Sequence, residues 1–345
     1  MASSVAQGDT CFELRQVGTT LPRAVPTQRP RSSPLASTVA RLAVALVAAI
    51  ALVAVVAVEV GFDPPTGPAV ATSSGTSPEG TASGGHSGGP VRPHIRAPSA
   101  LLVDLRSGRE LFARHAGRRR PIASLAKIMT ALVVLQHARL SEVVTVSRRA
   151  TRAAPIDVGL RRGERMTVRN LLYGLLLWSG NDTAVALAEH VGGSVRGFLG
   201  LMNDEARTLG LRRTRFASPN GLNDRGYSTA RDVAVLARVA MSDRVFASFV
   251  ATTRHRIPGP RTQVHRLRNL NAMLARYRGA TGVKTGYTRA AGTCVVASAS
   301  RAGHGMLAVV LGDPSGDSWR SAYRDATRLL NYGFALERAG GPAKR

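Results

Sequence analysis

The stretch "PIASLAKIMTALVVL", residues 121–135, decides how this chain is read. Its later positions are almost all apolar, which predicts a buried helix over 124–138. Lys127 stands in that run, one turn after Ser124. The chain carries 47 basic residues, and only three of them are lysine: Lys127, Lys284 and Lys344. A chain that uses arginine almost everywhere therefore places a lysine where burial is expected. Arginine effectively never deprotonates, whereas a lysine that is buried or set beside a second cation can become a neutral amine. Residues i and i+3 share a helix face, so Lys127 can reach the Ser124 hydroxyl. A serine hydroxyl is a poor nucleophile until a base takes its proton. The pair reads as a nucleophile and its base.

Two further short elements follow at intervals of about 50 and 100 residues: Ser179-Gly180-Asn181 and Lys284-Thr285-Gly286. Each is weak alone, and Ser179 and Asn181 in isolation read as an ordinary helix-cap turn. In this order, with Ser124 and Lys127, they form one constellation. Lys284 supplies the second cation if its strand lies beside the helix. Ser124 falls in a first helical turn, where backbone N–H groups are free. Its own N–H, with that of Tyr287, can form an oxyanion hole for acyl transfer. Ser179 is placed to relay a proton to a leaving group. The Asn181 amide can hold a substrate carbonyl and steady Lys127, and Lys284 and Thr285 can bind a carboxylate.

Around these motifs the chain divides by texture. Residues 1–41 are polar, with five arginines against Asp9 and Glu13. "LAVALVAAIALVAVVAV", residues 42–58, carries no charge and reads as a short membrane span over 42–60, N-terminus inside. The rival is a cleaved signal peptide, with "AVA" at 69–71 as its cleavage site. Either way the bulk of the chain is exported: anchored in the cell membrane with its domain outside, or secreted. Residues 61–98 are rich in Pro, Gly, Ser and Thr and read as a flexible linker. A globular domain is expected over 99–337, with a short tail at 338–345.

Within that domain, "SALLVDLRSGRELFAR" (99–114) reads as a hairpin turning at Ser107-Gly108. Residues 167–193 read as two helices broken at Ser179-Gly180-Asn181, followed by helices at 195–211 and 228–242. Residues 279–313 read as three antiparallel strands, and 318–336 as a closing helix. Strands at both ends with helices between predict an α+β fold: a sheet built from both ends of the domain, flanked by helices, with an all-helical region.

Charge and composition exclude some functions. The net charge of +26 reflects either an arginine-biased composition or attraction to an anionic surface, such as phospholipid or an acidic wall polymer. Aromatics are 5% and no nucleic-acid motif occurs, so no nucleic-acid partner is expected. The eight histidines and two cysteines show no metal spacing, and neither a metal nor a cofactor is expected.

On these motifs the chain resembles the serine-type D-alanyl-D-alanine carboxypeptidases, the low-molecular-mass penicillin-binding proteins. "LLYGLLLWSGNDTAVALAEHVGG", "SPNGLNDRGYSTARDVAVLAR", "GVKTGYTRAAGTCVVASA" and "RDATRLLNYGF" extend the similarity over 99–335. The resemblance implies a penicillin-binding, β-lactamase-like fold. It implies that Ser124 is acylated by a peptidoglycan stem peptide ending in D-Ala-D-Ala, and that β-lactams acylate the same serine. It gives Lys127 the part of general base, Ser179 and Asn181 the second catalytic element, and Lys284 and Thr285 the terminal carboxylate. Many members of that family carry a C-terminal β-domain and an anchor helix. Here only about fifteen residues follow Leu330, so the N-terminal span is expected to be the tether. The alternatives are a D,D-endopeptidase or transpeptidase, a β-lactamase, or a non-catalytic wall-binding protein. No glutamate lies between 206 and 336, which disfavours a class A β-lactamase.

Overall fold

The computed structural model describes residues 89–259, 263–314 and 316–340. The chain divides into two units, Met1–Ala82 and Ser83–Arg345, and the second holds all the described residues. The polar segment 1–41, the apolar run 42–60 and most of the 61–98 linker lie outside them, as do the last five residues of the 338–345 tail. Among the described residues no helix is long and apolar enough to cross a membrane.

Five antiparallel strands form the main sheet: β1 (Ser99–Asp104), β2 (Glu110–Arg114), and, from the far end of the domain, β7 (Ala280–Thr288), β8 (Gly292–Arg301) and β9 (His304–Asp313). Their order is β2-β1-β9-β8-β7, so the two ends of the domain meet where β1 pairs with β9, Leu101 opposite Val309. This is the expected α+β arrangement. The β1–β2 turn closes where expected: Ser107 donates from its N–H and its hydroxyl to Asp104 Oδ1, at 2.6 and 2.7 Å.

Both faces of the sheet are buried, and the strands alternate accordingly. Leu101, Val103, Leu307, Val309 and Leu311 face the helical region. Ala100, Leu102, Met306, Ala308 and Val310 face the C-terminal helix α8 (Arg320–Arg338), which contributes Ala322, Ala326, Leu329, Leu330 and Phe334. Each fully buried Val, Leu or Phe in these layers stabilises by roughly 1.5–3 kcal/mol. The sheet–α8 layer also begins earlier than expected. Ile95 and Ala97 are buried in it, and the buried Asp325 of α8 accepts the N–H groups of Arg96 and Ala97, both at 2.8 Å. The last residues of the expected linker are thus part of the domain, because a buried carboxylate on α8 holds their backbone.

The helical region centres on α1 (Ala126–His137), buried from Ala126 to Val134 on all sides. Around it lie α2 (Val168–Tyr173), α3 (Asn181–Gly192), α4 (Val195–Thr208), α5 (Ala230–Ser242) and α6 (Arg244–Ala251). Thr167, Ser194, Thr229 and Asp243 cap α2, α4, α5 and α6 with side-chain oxygens on free N–H groups. Two small ladders add to the expected elements: β3 (Val143–Thr145) with β4 (Arg165–Thr167), and β5 (Arg254–Pro258) with β6 (Val264–Arg268). A short α7 (Met273–Arg276) precedes β7. The β5–β6 hairpin has one fully buried apolar residue per strand, so it leaves no apolar alternation to read.

Candidate active site

Ser124 sits on a tight turn, Ala123–Leu125, that runs straight into α1. The turn is gripped by close backbone approach on two flanks. A Cβ at Gly286 of β7 would lie 2.6 Å from the Ser124 nitrogen, and one at Gly221 would lie 1.8 Å from the Ala123 carbonyl oxygen. Gly221 also has φ +81, where a side chain is strained. Only glycine lets the edge strand β7 and the 218–221 loop come this near. Thr130, two turns further along, donates to the Pro219 carbonyl at 2.6 Å and fixes that loop.

Lys127 has no exposed surface. Its Nζ lies 2.9 Å from Ser124 Oγ, 2.8 Å from Asn181 Oδ1 and 3.0 Å from the Asn220 carbonyl oxygen. The last two atoms only accept hydrogen bonds. A neutral amine has two N–H groups and one lone pair. In that form two hydrogens can serve Asn181 and Asn220, which leaves the lone pair to face Ser124 Oγ.

The electrostatics favour that neutral amine. Burial holds Lys127 well below the ordinary lysine range, the Lys284 charge lowers it further, and Asp182 opposes both. Lys284 is itself buried, 2% exposed, and burial lowers it to about 7. Its Nζ donates to the Thr285 carbonyl at 2.9 Å. Thr285 and Gly286 are buried beside it on β7, while Tyr287 is 42% exposed at the edge.

The second element is shaped by an irregular helix. After α2 the chain makes a wide π-type turn, Gly174–Trp178, and Ser179 then takes a left-handed conformation with φ 65. Asn181 opens α3. Its N–H donates to the Ile156 carbonyl at 2.7 Å, while its side chain turns to Lys127. Ser179 is 4% exposed, and among the described residues its hydroxyl has no hydrogen-bond partner.

The buried Asp182 holds a loop over this turn. It accepts the N–H groups of Val158, Gly159 and Leu160, together with that of Thr183, at distances of 2.8–3.1 Å. Trp178 Nε1 donates to the Asp157 carbonyl at 2.7 Å. Burial nevertheless leaves the Asp182 carboxyl above its usual range.

Ser124, Lys127 and Asn181 are joined by hydrogen bonds, and Lys284, Thr285, Gly286 and Tyr287 run along the strand packed against the Ser124 turn. Ser179 lies two residues from Asn181. Two participants were missed. Asn220 takes part through its backbone carbonyl, which no side-chain pattern reveals, although the Pro219-Asn220-Gly221 turn signal was present. Asp182 belongs to no motif and stands in the sequence only as an acid in the first turn of α3. Among the described residues no group of three or more His, Cys, Asp or Glu side chains could hold a metal ion. Cys294 is buried and its thiol is pushed up to about 11, so it is no rival nucleophile.

Known proteins resemble the chain across this domain. The D-alanyl-D-alanine carboxypeptidase family matches residues 87–315. A D-alanyl-D-alanine carboxypeptidase of Bacillus subtilis is 34% identical over 69% of this chain, which spans 62% of that protein's length. One from a Streptomyces species is 36% identical over 71% of this chain and 90% of its own. The crystal structure of the Streptomyces K15 DD-transpeptidase aligns with a TM-score of 0.68 at 35% identity, covering 71% of this chain and all of that one. A D-alanyl-D-alanine carboxypeptidase structure from Mycobacterium tuberculosis gives 0.69 at 35% identity, covering 72% and 95%. With its antiparallel sheet, its helical region and its hydrogen-bonded Ser124–Lys127 pair, the chain belongs to the serine D-alanyl-D-alanine carboxypeptidase family, the low-molecular-mass penicillin-binding proteins.

Proposed function

We propose that this protein removes the terminal D-alanine from wall stem peptides ending in D-Ala-D-Ala, through an acyl-enzyme on Ser124. The observation that carries this reading is the Lys127 amine. It is buried, Asn181 Oδ1 and the Asn220 carbonyl accept from it, and its Nζ is 2.9 Å from the serine oxygen. Lys127 takes the hydroxyl proton as Ser124 Oγ bonds to the carbonyl carbon of the penultimate D-alanine. The oxyanion so formed is held by the N–H groups of Ser124 and Tyr287. The tetrahedral centre collapses, the C–N bond breaks, and the amine of D-alanine leaves with a proton relayed from Lys127 through the Ser179 hydroxyl. Asn181 holds a carbonyl of the substrate backbone. Lys284 and Thr285 receive the terminal carboxylate in a buried site where one charge-assisted contact counts for more than in water. Water then cleaves the ester and regenerates Ser124.

β-Lactams fit the same scheme, since their ring amide bears a neighbouring carboxylate and would acylate Ser124. A second reading is transfer of the acyl group to an amine rather than to water, favoured by the likeness to the Streptomyces K15 DD-transpeptidase. The charge-free run 42–58 supports a membrane tether that holds the domain outside the cell.

The deciding experiment is labelling with a fluorescent penicillin, with Ser124→Ala as control, followed by assay of D-alanine release from a D-Ala-D-Ala peptide. A labelled wild type, an unlabelled variant and release of free D-alanine are expected. A wild type that takes no label would overturn the acyl-enzyme reading.

A further inference from the structure

The β5–β6 hairpin has two unlike faces. Its inner face is fixed beside the active site. His255 stacks on Tyr173 with ring centroids 3.6 Å apart, and Ile257 and Leu267 are buried in the core. His265 bridges the Val158 carbonyl and the Glu164 carboxylate, each at 3.0 Å, so it holds the same loop that Asp182 holds over the Ser179 turn. The hairpin is therefore a rigid flank of the site.

Its outer face carries four arginines, with Pro258 and Val264 at its turn end. Arg254, Arg256, Arg266 and Arg268 are all exposed. The register sets Arg254 opposite Arg268 and Arg256 opposite Arg266. Like charges directly opposite on a ladder are destabilising, with Cβ atoms roughly 4.5–5.5 Å apart. Nothing in the domain offsets this: among the described residues none of the four guanidiniums has a carboxylate or hydrogen-bond partner. From Arg244 to Gly312 the chain has ten arginines and Lys284, and no Asp or Glu. Arg231 and Arg109, by contrast, are paired with Glu110 and Glu337.

We propose that this arginine face docks the polymeric form of the substrate, binding carboxylates of stem peptides next to the one in the catalytic cleft. The inference rests on the carboxypeptidase reading and extends it from a peptide to a polymer. Every stem that reading assigns as substrate or product ends in a free carboxylate. A polymer strand entering the cleft brings a row of such groups past its flank. A cross-strand pair of guanidiniums can straddle one carboxylate, and the next pair lies about 7 Å along the strands. The repulsion within the empty face is then relieved by the occupant.

The test uses the full-length chain in detergent, with Arg256→Gln/Arg266→Gln and the fourfold Gln variant, all at exposed positions. D-Alanine release is followed from a soluble pentapeptide and from insoluble wall polymer stripped of phosphate-bearing chains. Co-sedimentation with that polymer is measured in parallel, so docking is read even where hydrolysis fails. The fourfold variant is expected to lose about fivefold or more in polymer turnover and retention, and the wild-type advantage should fade with salt. Release from the soluble peptide should stay within about twofold, as for other exposed charges away from the reacting atoms. Blocking the polymer's carboxylates as neutral amides should bring wild type down to the variant. Unchanged polymer retention, or equal losses on peptide and polymer, would overturn the proposal. So would loss of binding to anionic phosphatidylglycerol vesicles with wall retention intact, which would make the face a bilayer dock. Failure of wild type on the soluble peptide, with carboxylate-dependent retention preserved, would instead overturn the carboxypeptidase reading and leave the docking face standing.

Discussion

Lys127 Nζ lies 2.9 Å from Ser124 Oγ, three residues earlier in the chain, with the rest of its hydrogen-bonding capacity taken by Asn181 and Asn220. The amine can serve as a base because burial and the Lys284 charge both favour its neutral form. Lys127→Arg puts a permanent cation where the base stands and so abolishes the base. Acylation by penicillin is expected to fall by about 10²–10⁴-fold, the usual worth of a positioned base. Stopped-flow or gel-based labelling of the folded variant measures this. Labelling at the wild-type rate would show that the lysine is not the base.

The neighbours of Lys127 should move its titration in opposite directions. Acylation needs the neutral amine, so its rate rises with pH through the Lys127 midpoint. Lys284→Gln removes a nearby positive charge, which raises the Lys127 pKa and moves the rising limb to higher pH. Asp182→Asn removes a nearby negative charge and moves it to lower pH. Binding of a carboxylate needs Lys284 protonated, so the falling limb of the wild-type profile belongs to Lys284, which burial places at about 7. The two lysines are close enough to couple, and the limbs are then properties of the pair. Rate–pH profiles of penicillin acylation for the three proteins decide the signs.

Gly221→Ala and Gly286→Ala should both damage the Ser124 turn, for a reason unrelated to charge. Each new methyl would meet backbone, at 1.8 Å from the Ala123 oxygen and 2.6 Å from the Ser124 nitrogen. Backbone cannot swing aside as a flexible side chain can, and overpacking of this kind costs about 1–3 kcal/mol. Thermal unfolding should report the loss. Acylation should fall more than stability does, because the displaced atoms carry the nucleophile.

The β-lactam adduct should be long-lived. Among the described residues no carboxylate is hydrogen-bonded to Ser124 or Lys127. Glu164 is engaged by His265 and the Arg161 N–H, and Glu189 by Ser147. A water on the acyl-enzyme therefore lacks the glutamate that a class A β-lactamase would supply. Mass spectrometry of the adduct over time is the measurement, and rapid recovery of unmodified protein would contradict it.

The sequence by itself determined the chemistry of the first turn of α1. Its evidence was the scarcity of lysine: in a chain with 44 arginines, Lys127 marks a place where a cation able to lose its proton is expected, and Lys284 a second departure from the chain's usual cation. It also determined the layered α+β plan, because the strands within 99–114 and 279–313 are short, β-prone apolar runs set off by turn residues. Tertiary structure decided what local pattern cannot carry. The Asn220 contact is made by a carbonyl that every residue possesses, and the lowered pKa of Lys127 comes first from its burial and then from Lys284, 157 positions away. Gly286 and Gly221 became necessary only when the edge strand and the 218–221 loop closed on the Ser124 turn. The β5–β6 hairpin stayed illegible because each strand buries a single apolar residue between polar ones. Its arginine face arose only when the ladder's register set those side chains opposite one another. Side-chain type and spacing are local properties of a chain, whereas burial, mutual charge and backbone approach exist only between segments that folding brings together.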